Sequence, residues 1–329
     1  MLIISREAST KVVIVGRFAK KTKELILGLF PEDWKIAIIT SKEIKKEIED
    51  ADVVIPEHTL IDGPLLDRAK HLKLVQTGAG FDNVLIDECT KRDIYVASIG
   101  GLNARAVAEH VFALILCWYK NIILLDGIMK RGGYATDYNG SELSGKVIGV
   151  VGLGNIGKEV ARLAKAFQMK VLGYSVRPIN TDIEIEFTDF KTLLRMSDVV
   201  TLHTSLNDKT KHLISFAELE LMKQDAFLIN TSRGAIVDET ALIAALRSKK
   251  IGGAGLDVFE KEPLAPDSPL RKLNNLILTP HTAGMPDGPG FNQKRYEFFV
   301  ENIRRVCEGK EPINAINRLR PLPSFAKLQ

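Results

Sequence analysis

Short apolar runs alternate with charged segments of helical period over the first hundred residues. The runs are rich in valine and isoleucine and nearly continuous, which is typical of strands buried on both faces of a parallel sheet. Helical segments such as Ser41–Glu49 and Pro64–His71 separate them, so the pattern predicts a parallel sheet covered by helices. The predicted strands are Lys11–Val15, Lys35–Thr40, Asp52–Ile55, Leu72–Gln76 and Ile94–Ser98.

The pattern restarts after Ala106–Leu125, a long apolar stretch that we interpret as one buried helix. Polar residues interrupt it at Glu109, His110, Lys120 and Asn121, so a membrane span is not predicted. The strands of this second half are predicted at Val147–Val151, Lys170–Tyr174, Ile183–Phe187, Val199–His203, Ala226–Asn230, Gly253–Leu256 and Leu276–Thr279.

The second half closes near Gly284, and helical period returns at Gln293–Cys307. The tail, Pro312–Gln329, contains three prolines and is expected to run over the surface. The whole pattern predicts an α/β fold with two doubly wound parallel-sheet domains.

Composition narrows the class of protein. The chain has 329 residues, of which 45% are apolar and 26% charged, which excludes a disordered tail or a disulfide-framed secreted module. Cys89, Cys117 and Cys307 are scattered without CxxC spacing, so we expect free thiols and a cytoplasmic location. Met1–Ser5 is too short for the apolar region of a signal peptide.

Charge and ligand spacing limit the partners. The net charge is +4, and acidic residues lie between the short lysine runs, so neither nucleic acid nor a membrane is a predicted partner. A mild positive excess suits a small anionic substrate or cofactor. Since no His/Cys/Asp cluster has metal-ligand spacing, no metal is expected.

The most specific local motif is Lys146–Gly157 (KVIGVVGLGNIG), in which a strand precedes three glycines at GxGxxG spacing and an amphipathic helix follows. Gly152 permits the tight turn, Gly154 lets the backbone approach a pyrophosphate, and Gly157 allows close helix–strand packing. The helix N-terminus supplies amides and a positive dipole to the phosphates. The motif therefore predicts a dinucleotide site.

The strand Lys170–Tyr174 is expected to end where the ribose lies. An NAD site places an acidic residue there, but this chain has Ser175, Val176 and Arg177. Because no carboxylate is available for the 2′-hydroxyl and a guanidinium is near, the sequence favours NADP over NAD. The alternative is that Arg177 is a solvated surface residue.

Three further blocks come directly after strand-like runs: Ile229–Asp238 (INTSRGAIVD), Gly255–Pro263 (GLDVFEKEP) and Thr279–Gly284 (TPHTAG). The carboxyl ends of parallel strands form the ligand-binding edge of an open α/β sheet. The blocks supply one arginine, one glutamate and one histidine, a set that suits hydride transfer to a 2-oxo acid.

Each member of this set has a candidate role. Arg233 can bind the substrate carboxylate through two parallel hydrogen bonds. His281 can act as general acid toward the carbonyl oxygen, and as general base in the reverse direction. Glu262 would favour the imidazolium and fix the tautomer and orientation of the ring.

These blocks, together with Gly78–Asn83 (GAGFDN) and Asn103–His110 (NARAVAEH), resemble the D-isomer-specific 2-hydroxyacid dehydrogenase family in order and interval over nearly the whole chain. The resemblance implies a Rossmann NAD(P) domain, residues 103–284, inserted into a flavodoxin-like substrate-binding domain made of residues 1–102 and 285–329. It also implies a homodimer formed through the dinucleotide domain. The implied reaction is reduction of a small 2-oxo acid, such as glyoxylate or hydroxypyruvate, to the D-2-hydroxy acid.

The resemblance also places roles on matching positions. The implied catalytic set is Arg233, Glu262 and His281. Substrate-binding residues are Gly78, Ala79 and Gly80, whose amides would hold the carboxylate, and Arg233. Asp257 would contact the nicotinamide amide, and Val107 would line its ring. The other implied cofactor-binding residues are Gly152, Gly154, Asn155, Ile156, Gly157, Ser175, Val176, Arg177, His203, Thr204, Ser205, Thr210, Thr231, Ser232, His281 and Gly284.

Two departures from the family pattern are visible. After His281 the chain inserts a Pro/Gly-rich loop, Met285–Gly290 (MPDGPG), which leaves the identity of the substrate open. His203, Thr204 and Ser205 stand where the family often has His-x-Pro.

Alternative functions remain. A 3-phosphoglycerate dehydrogenase would pair Arg105 with the phosphate, and a nicotinamide-sensing co-repressor or scaffold on the same fold could keep the catalytic set. Formate dehydrogenases have glutamine in place of Glu262, and phosphite dehydrogenases have lysine in place of Ala79, so both are disfavoured.

Two other histidines bear on the site. We interpret His110 as a satisfied core residue of the apolar helix. His58 follows a strand of the first half and could reach a cleft.

Overall fold

The computed structural model describes residues 9–57, 59–78, 80–284 and 289–319. The chain divides into two compact units, one made of Met1–Leu102 and Asp287–Gln329 and the other of Asn103–Pro286. Each unit has its own sheet, and every pairing between its strands is parallel. The predicted fold class, α/β with two parallel sheets, is therefore confirmed.

The sheet of the first unit contains β1 (Lys11–Val15), β2 (Lys35–Ile39), β3 (Val53–Ile55), β4 (Leu74–Gln76) and β5 (Tyr95–Ala97). Their order across the sheet is β2-β1-β3-β4-β5. Val13 and Val15 pack into a core on one face, whereas Val12 and Ile14 pack into a core on the other. This burial on both faces is the physical reason for the continuous apolar runs.

The sheet of the second unit contains β6 (Val147–Val151), β7 (Lys170–Tyr174), β8 (Glu186–Phe187), β9 (Val199–Leu202), β10 (Phe227–Asn230), β11 (Gly253–Leu256) and β12 (Leu276–Leu278). Their order is β12-β11-β10-β9-β6-β7-β8. Val199 and Val200 again face opposite cores. All carboxyl ends lie at one edge, which is where the predicted site residues follow the strands.

The helices of the described residues are α1 (Lys20–Leu29), α2 (Ile44–Glu47), α3 (Gly63–Leu66), α4 (Ile86–Lys91), α5 (Ala104–Tyr119), α6 (Ile122–Lys130), α7 (Asn155–Ala166), α8 (Phe190–Met196), α9 (Phe216–Leu221), α10 (Glu239–Arg247) and α11 (Pro289–Cys307). Short 3-10 turns occur at Gly234–Ile236 and Pro269–Lys272. Helices α2 and α3 are shorter than the segments predicted from the sequence.

The prediction of one long buried helix at Ala106–Leu125 is wrong. The stretch forms two helices, α5 and α6, bent by 60° at a break that contains Asn121. Asn121 has φ +54°, a left-handed conformation that asparagine tolerates better than most residues. Helix α5 packs against α7, with Phe112 stacked on Phe167 at 5.0 Å between ring centroids.

Helix α6 also differs from the prediction because none of its residues is buried. No single helix among the described residues is long and apolar enough to cross a membrane. In the part of the chain that the structure describes, α5 and α6 taken together are the one pair that passes this test of length and composition.

The last helix begins earlier than predicted. Helix α11 starts at Pro289 rather than Gln293, inside the predicted loop Met285–Gly290. Proline is favoured at the first position of a helix because its φ is already helical and its missing N–H is not needed there. Residues 285–288 of that loop lie outside the described residues.

Part of the tail is anchored rather than lying loosely on the surface. Ala315 forms an antiparallel bridge with Ala97 of β5. The Asn317 side chain accepts from Val96 N–H at 2.8 Å and donates to Ile94 O at 2.9 Å. Residues 320–329 lie outside the described residues.

Candidate active site

The glycine motif forms a tight turn between β6 and α7. Gly152 has φ +92°, and a β-carbon there would lie 2.6 Å from the His203 carbonyl oxygen. A β-carbon at Gly157 would lie 2.1 Å from the carbonyl oxygen of Gly152. Gly154 precedes the first turn of α7 and has open space where a β-carbon would be. The turn thus presents bare backbone at a helix N-terminus, as phosphate binding requires.

Buried polar atoms without partners lie at the carboxyl ends of β9 and β10. Within the described ranges, His203 Nδ1, Thr204 Oγ1 and Thr231 Oγ1 have no hydrogen-bond partner. Leaving such an atom unsatisfied costs about 1–3 kcal/mol, so a polar ligand at this edge would be stabilised. The bare glycine turn and these atoms fit a dinucleotide bound along the edge.

His203 is neutral at this edge. Burial lowers the pKa of its imidazole to about 3. Its Nε2 lies 2.9 Å from Thr201 Oγ1, so one ring nitrogen is satisfied within the protein and the other is not. A neutral ring can contact a cofactor without adding charge.

The loop after β7 contains the residues predicted to meet the ribose. The Arg177 backbone N–H donates to Ser175 Oγ at 3.3 Å, and the Val176 side chain is exposed. Lys158 of α7 reaches the same loop, where its ammonium donates to Asn180 O at 2.8 Å. No described residue forms an ion pair with Arg177.

His281 and Glu262 form a hydrogen-bonded pair, with 2.7 Å between Nδ1 and Oε2. The other carboxylate oxygen, Oε1, accepts from Phe259 N–H at 3.0 Å, which fixes the orientation of Glu262. Both side chains are partly exposed, at 40% and 35%. Because Glu262 engages Nδ1, Nε2 is the nitrogen that can exchange a proton with a substrate.

Arg233 lies in a turn held by its neighbours. Asn230 Nδ2 donates to Arg233 O at 2.8 Å, and Asn230 Oδ1 accepts from Ser232 N–H at 3.1 Å. Ser232 Oγ donates to Leu202 O at 2.6 Å, which ties the turn to β9. The next residue, Gly234, packs against the backbone of the loop that carries Glu262. The turn that carries Arg233 is therefore in contact with the loop that carries Glu262.

Asp257 holds the turn that carries His281. Its carboxylate is 1% exposed and accepts from Thr279 Oγ1 at 2.6 Å, Thr282 N–H at 2.9 Å and Ala283 N–H at 2.9 Å. Its carbonyl oxygen accepts from His281 N–H at 2.7 Å. This internal use of Asp257 was not predicted from the sequence, and its predicted contact with the nicotinamide amide stays a prediction.

The profile of the D-isomer specific 2-hydroxyacid dehydrogenase NAD binding domain matches residues 112–283. That segment contains the glycine turn, Arg233, Glu262 and His281. The chain belongs to this dehydrogenase family.

Known relatives are similar to this dehydrogenase over most of its chain. A glyoxylate reductase of Thermofilum pendens is 40% identical over 85% of this chain and 87% of its own. A D-3-phosphoglycerate dehydrogenase of Archaeoglobus fulgidus is 36% identical over 87% of this chain, but only 54% of its own length is matched. The crystal structure of an Aquifex aeolicus D-lactate dehydrogenase complexed with NAD and lactic acid is 32% identical and has a TM-score of 0.82, covering 93% of this chain and 98% of that one.

The remaining predicted cofactor residues of the dehydrogenase lie on the second unit. Thr210 Oγ1 donates to Ser205 O at 2.6 Å, which closes the loop after β9. Asn155 and Ile156 open α7. Val107 is buried on α5, and a β-carbon at Gly284 would lie 3.8 Å from one of its methyl groups.

The predicted substrate loop lies on the first unit. Gly78 follows β4, and a β-carbon there would lie 3.3 Å from Arg295 Nη2. Gly80 belongs to the same loop, whereas Ala79 lies outside the described residues. His58, which was predicted from the sequence as a residue that could reach a cleft, also lies outside them. The role of these amides in binding the carboxylate stays a prediction.

Sequence reasoning missed the link between His110 and the candidate active site. His110 Nε2 lies 3.0 Å from Thr279 Oγ1 and 3.7 Å from Asp257 Oδ1. The available signal was the spacing of Asn103, Val107 and His110, which places all three on one helix face.

Over the described ranges, no group of three His, Cys, Asp or Glu residues could hold a metal ion.

Proposed function

We propose that this dehydrogenase reduces small 2-oxo acids, such as glyoxylate or hydroxypyruvate, to D-2-hydroxy acids with a nicotinamide cofactor. The observation that carries the proposal is the 2.7 Å hydrogen bond between His281 Nδ1 and Glu262 Oε2, in which Glu262 lies on a loop that packs against the Arg233 turn. A cation for a carboxylate and an acid for a carbonyl oxygen are the two groups that this reaction needs from the protein.

The residues divide the work as follows. The Arg233 guanidinium binds the substrate carboxylate and orients the adjacent carbonyl group. A bound nicotinamide supplies the hydride to the carbonyl carbon. His281 Nε2 donates a proton to the carbonyl oxygen as negative charge develops there, and Glu262 stabilises the protonated ring before the transfer. In the oxidative direction His281 accepts that proton.

The second unit is the proposed dinucleotide-binding domain, residues 103–284, and residues 1–102 with 285–329 form the proposed substrate-binding domain. The cofactor is proposed to be NADP rather than NAD. Residues 175–181, which directly follow β7, contain no carboxylate for a 2′-hydroxyl and offer Ser175 and Arg177, and Lys158 donates to Asn180 O in the same loop at 2.8 Å. A 2′-phosphate bound by Arg177 through charge-assisted hydrogen bonds would gain about 1.5–3 kcal/mol.

A small, unphosphorylated acid fits better than 3-phosphohydroxypyruvate. Arg105, the candidate phosphate ligand, already binds Glu109 at 2.8 Å and approaches Glu159 at 3.7 Å. A guanidinium flanked by two carboxylates is a weak phosphate site. The Thermofilum pendens relative, a glyoxylate reductase, points the same way.

A homodimer is proposed from the surface of α6. Ile122, Ile123, Leu124 and Met129 are large apolar residues with 44–55% exposure on this one helix. Apolar patches of this kind mark association surfaces, and a second copy of the chain is the proposed occupant because the patch belongs to the dinucleotide unit. Light scattering of wild type and Ile123→Glu tests this: a dimer that becomes a monomer supports it, and a monomeric wild type overturns it.

The free thiols of Cys89, Cys117 and Cys307 support a cytoplasmic location.

The function is tested by the oxidation of NADPH and of NADH with glyoxylate, hydroxypyruvate, pyruvate and 3-phosphohydroxypyruvate. Faster oxidation of NADPH with the first two acids is expected. Preference for NADH and the phosphorylated acid would replace this proposal by a phosphoglycerate dehydrogenase. Cofactor binding without turnover of any acid would contradict it.

A further inference from the structure

One face of α5 lies along the turn that carries His281. Asn103 Nδ2 donates to Gly284 O at 3.4 Å, and Val107 packs where a β-carbon of Gly284 would be. His110, one helical step further, places Nε2 3.0 Å from Thr279 Oγ1. The helix therefore contacts both ends of the Thr279–Gly284 turn.

The direction of the hydrogen bonds between His110, Thr279 and Asp257 follows from the number of protons. Thr279 has one hydroxyl proton and donates it to Asp257 Oδ1 at 2.6 Å. Thr279 Oγ1 can then only accept from the imidazole, so His110 must carry a proton on Nε2. The result is a directed chain from His110 through Thr279 to Asp257.

This chain ends at the residue that fixes the histidine turn. The Asp257 carboxylate accepts from Thr282 N–H and Ala283 N–H, both at 2.9 Å, and its carbonyl accepts from His281 N–H. Because the carboxylate is buried, water cannot easily take the place of a hydrogen-bond donor that is lost. The carboxylate oxygen would then be left without a partner. Any rotation of this carboxylate would move the two amides that follow His281.

We propose that His110 is a positioning residue for His281, acting through Thr279 and Asp257. Its Nε2–H holds the Thr279 hydroxyl toward Asp257 and so keeps the His281 turn in register with Glu262. The inference rests on the proposed function in one respect, which is that His281 is the proton donor.

Steady-state kinetics test the proposal through separate values of kcat and KM. His110→Leu and Thr279→Val should each lower kcat with glyoxylate about tenfold or more, because a misplaced acid slows proton transfer strongly. KM for the acid should change by less than about threefold, since Arg233 is untouched. The double variant should be no slower than the slower single variant, because each substitution breaks the same chain.

Two matched variants separate positioning from general damage. His110→Gln carries an amide N–H near the place of Nε2 and should recover at least half of the lost kcat. Glu109→Gln changes the neighbouring residue on α5, whose side chain binds Arg105 instead, and should leave kcat unchanged. Equal losses in His110→Gln and His110→Leu, or losses that add in the double variant, would overturn the proposal.

A spectroscopic test needs no turnover. Long-range ¹⁵N–¹H correlation spectra of the wild-type protein at pH 8 report the tautomer of each histidine, and His110→Gln assigns the signal of His110. The proposal requires a protonated Nε2, and a ring protonated on Nδ1 alone would overturn it. If this signature is found but no 2-oxo acid is reduced, the proposed function fails while the hydrogen-bonded chain stands.

Discussion

Gly234 lies so close to Phe259 that a β-carbon at position 234 would be 1.8 Å from the Phe259 carbonyl carbon. The same β-carbon would lie 2.3 Å from the Glu260 backbone nitrogen. Only glycine permits this approach of two backbones. The contact joins the turn of Arg233 to the loop of Glu262, so the two halves of the candidate catalytic set share one packing interface.

Gly234→Ala should therefore impair both stability and activity. One turn must move away from the other, which costs about 1–3 kcal/mol of unfolding free energy and should lower kcat/KM about tenfold or more. Urea unfolding and glyoxylate reduction measure the two effects. Gly28→Ala is the matched control, because Gly28 lies in α1 with open space around it and alanine favours a helix. Wild-type kinetics in Gly234→Ala would show that the contact does not place Arg233.

Glu262→Gln should lower kcat by about 5–13-fold, because a charge-assisted hydrogen bond becomes a neutral one and about 1–1.5 kcal/mol is lost. The substitution keeps the shape of the side chain and removes its charge. Glu260→Gln makes the same change two residues away, where the carboxylate binds His212 at 2.9 Å, and should stay within about twofold of wild type. Equal kcat values for the two variants would contradict the role of Glu262.

Arg233→Lys should raise KM for glyoxylate about tenfold or more and affect kcat less, because an ammonium cannot form two parallel bonds to a carboxylate. Arg233→Ala should lose binding further, and added guanidinium chloride at millimolar concentration should restore part of its rate. Cofactor affinity, measured by NADPH fluorescence, is the internal control. An unchanged KM in Arg233→Lys would assign the substrate carboxylate to other groups.

The half-buried imidazole of His203 should make the free energy of unfolding depend on pH. With a native pKa of about 3, the ring stays neutral while the unfolded chain takes up a proton below about pH 6.5. Between about pH 6.5 and about pH 3 the unfolded state binds more protons than the folded state. The contribution of His203 to the free energy of unfolding is therefore lost as the pH falls through this range, by about 1–2 kcal/mol at pH 5. Urea unfolding at pH 7 and pH 5 should show a smaller difference in His203→Asn than in wild type. The same difference in both proteins would contradict a neutral ring at position 203 in the folded state.

The sequence sufficed for the sheets because their strands are buried on both faces and read as unbroken apolar runs. It also placed Gly152, Arg233, Glu262 and His281, since each follows such a run. The sequence failed to predict the break between α5 and α6. Asn121 has a left-handed backbone conformation, but the apolar residues around it would look the same if it were helical.

Side-chain partners that depend on tertiary contacts were beyond the sequence as well. Asp257 reads as a residue after a strand, yet its three donors come from residues 22–26 positions later. His110 reads as a polar residue in an apolar helix, and only folding brings Thr279 beside it. The start of α11 at Pro289 was hidden because a Pro/Gly-rich stretch usually indicates a loop.

Turnover of glyoxylate by His281→Ala, compared with wild type at saturating NADPH, tests the central claim most directly. The account predicts that kcat falls by about 10²–10⁴-fold, the range that general acid–base catalysis contributes, while the Kd for NADPH stays within about threefold. A variant that reduces glyoxylate at the wild-type rate would contradict proton transfer by His281 and with it the proposed mechanism.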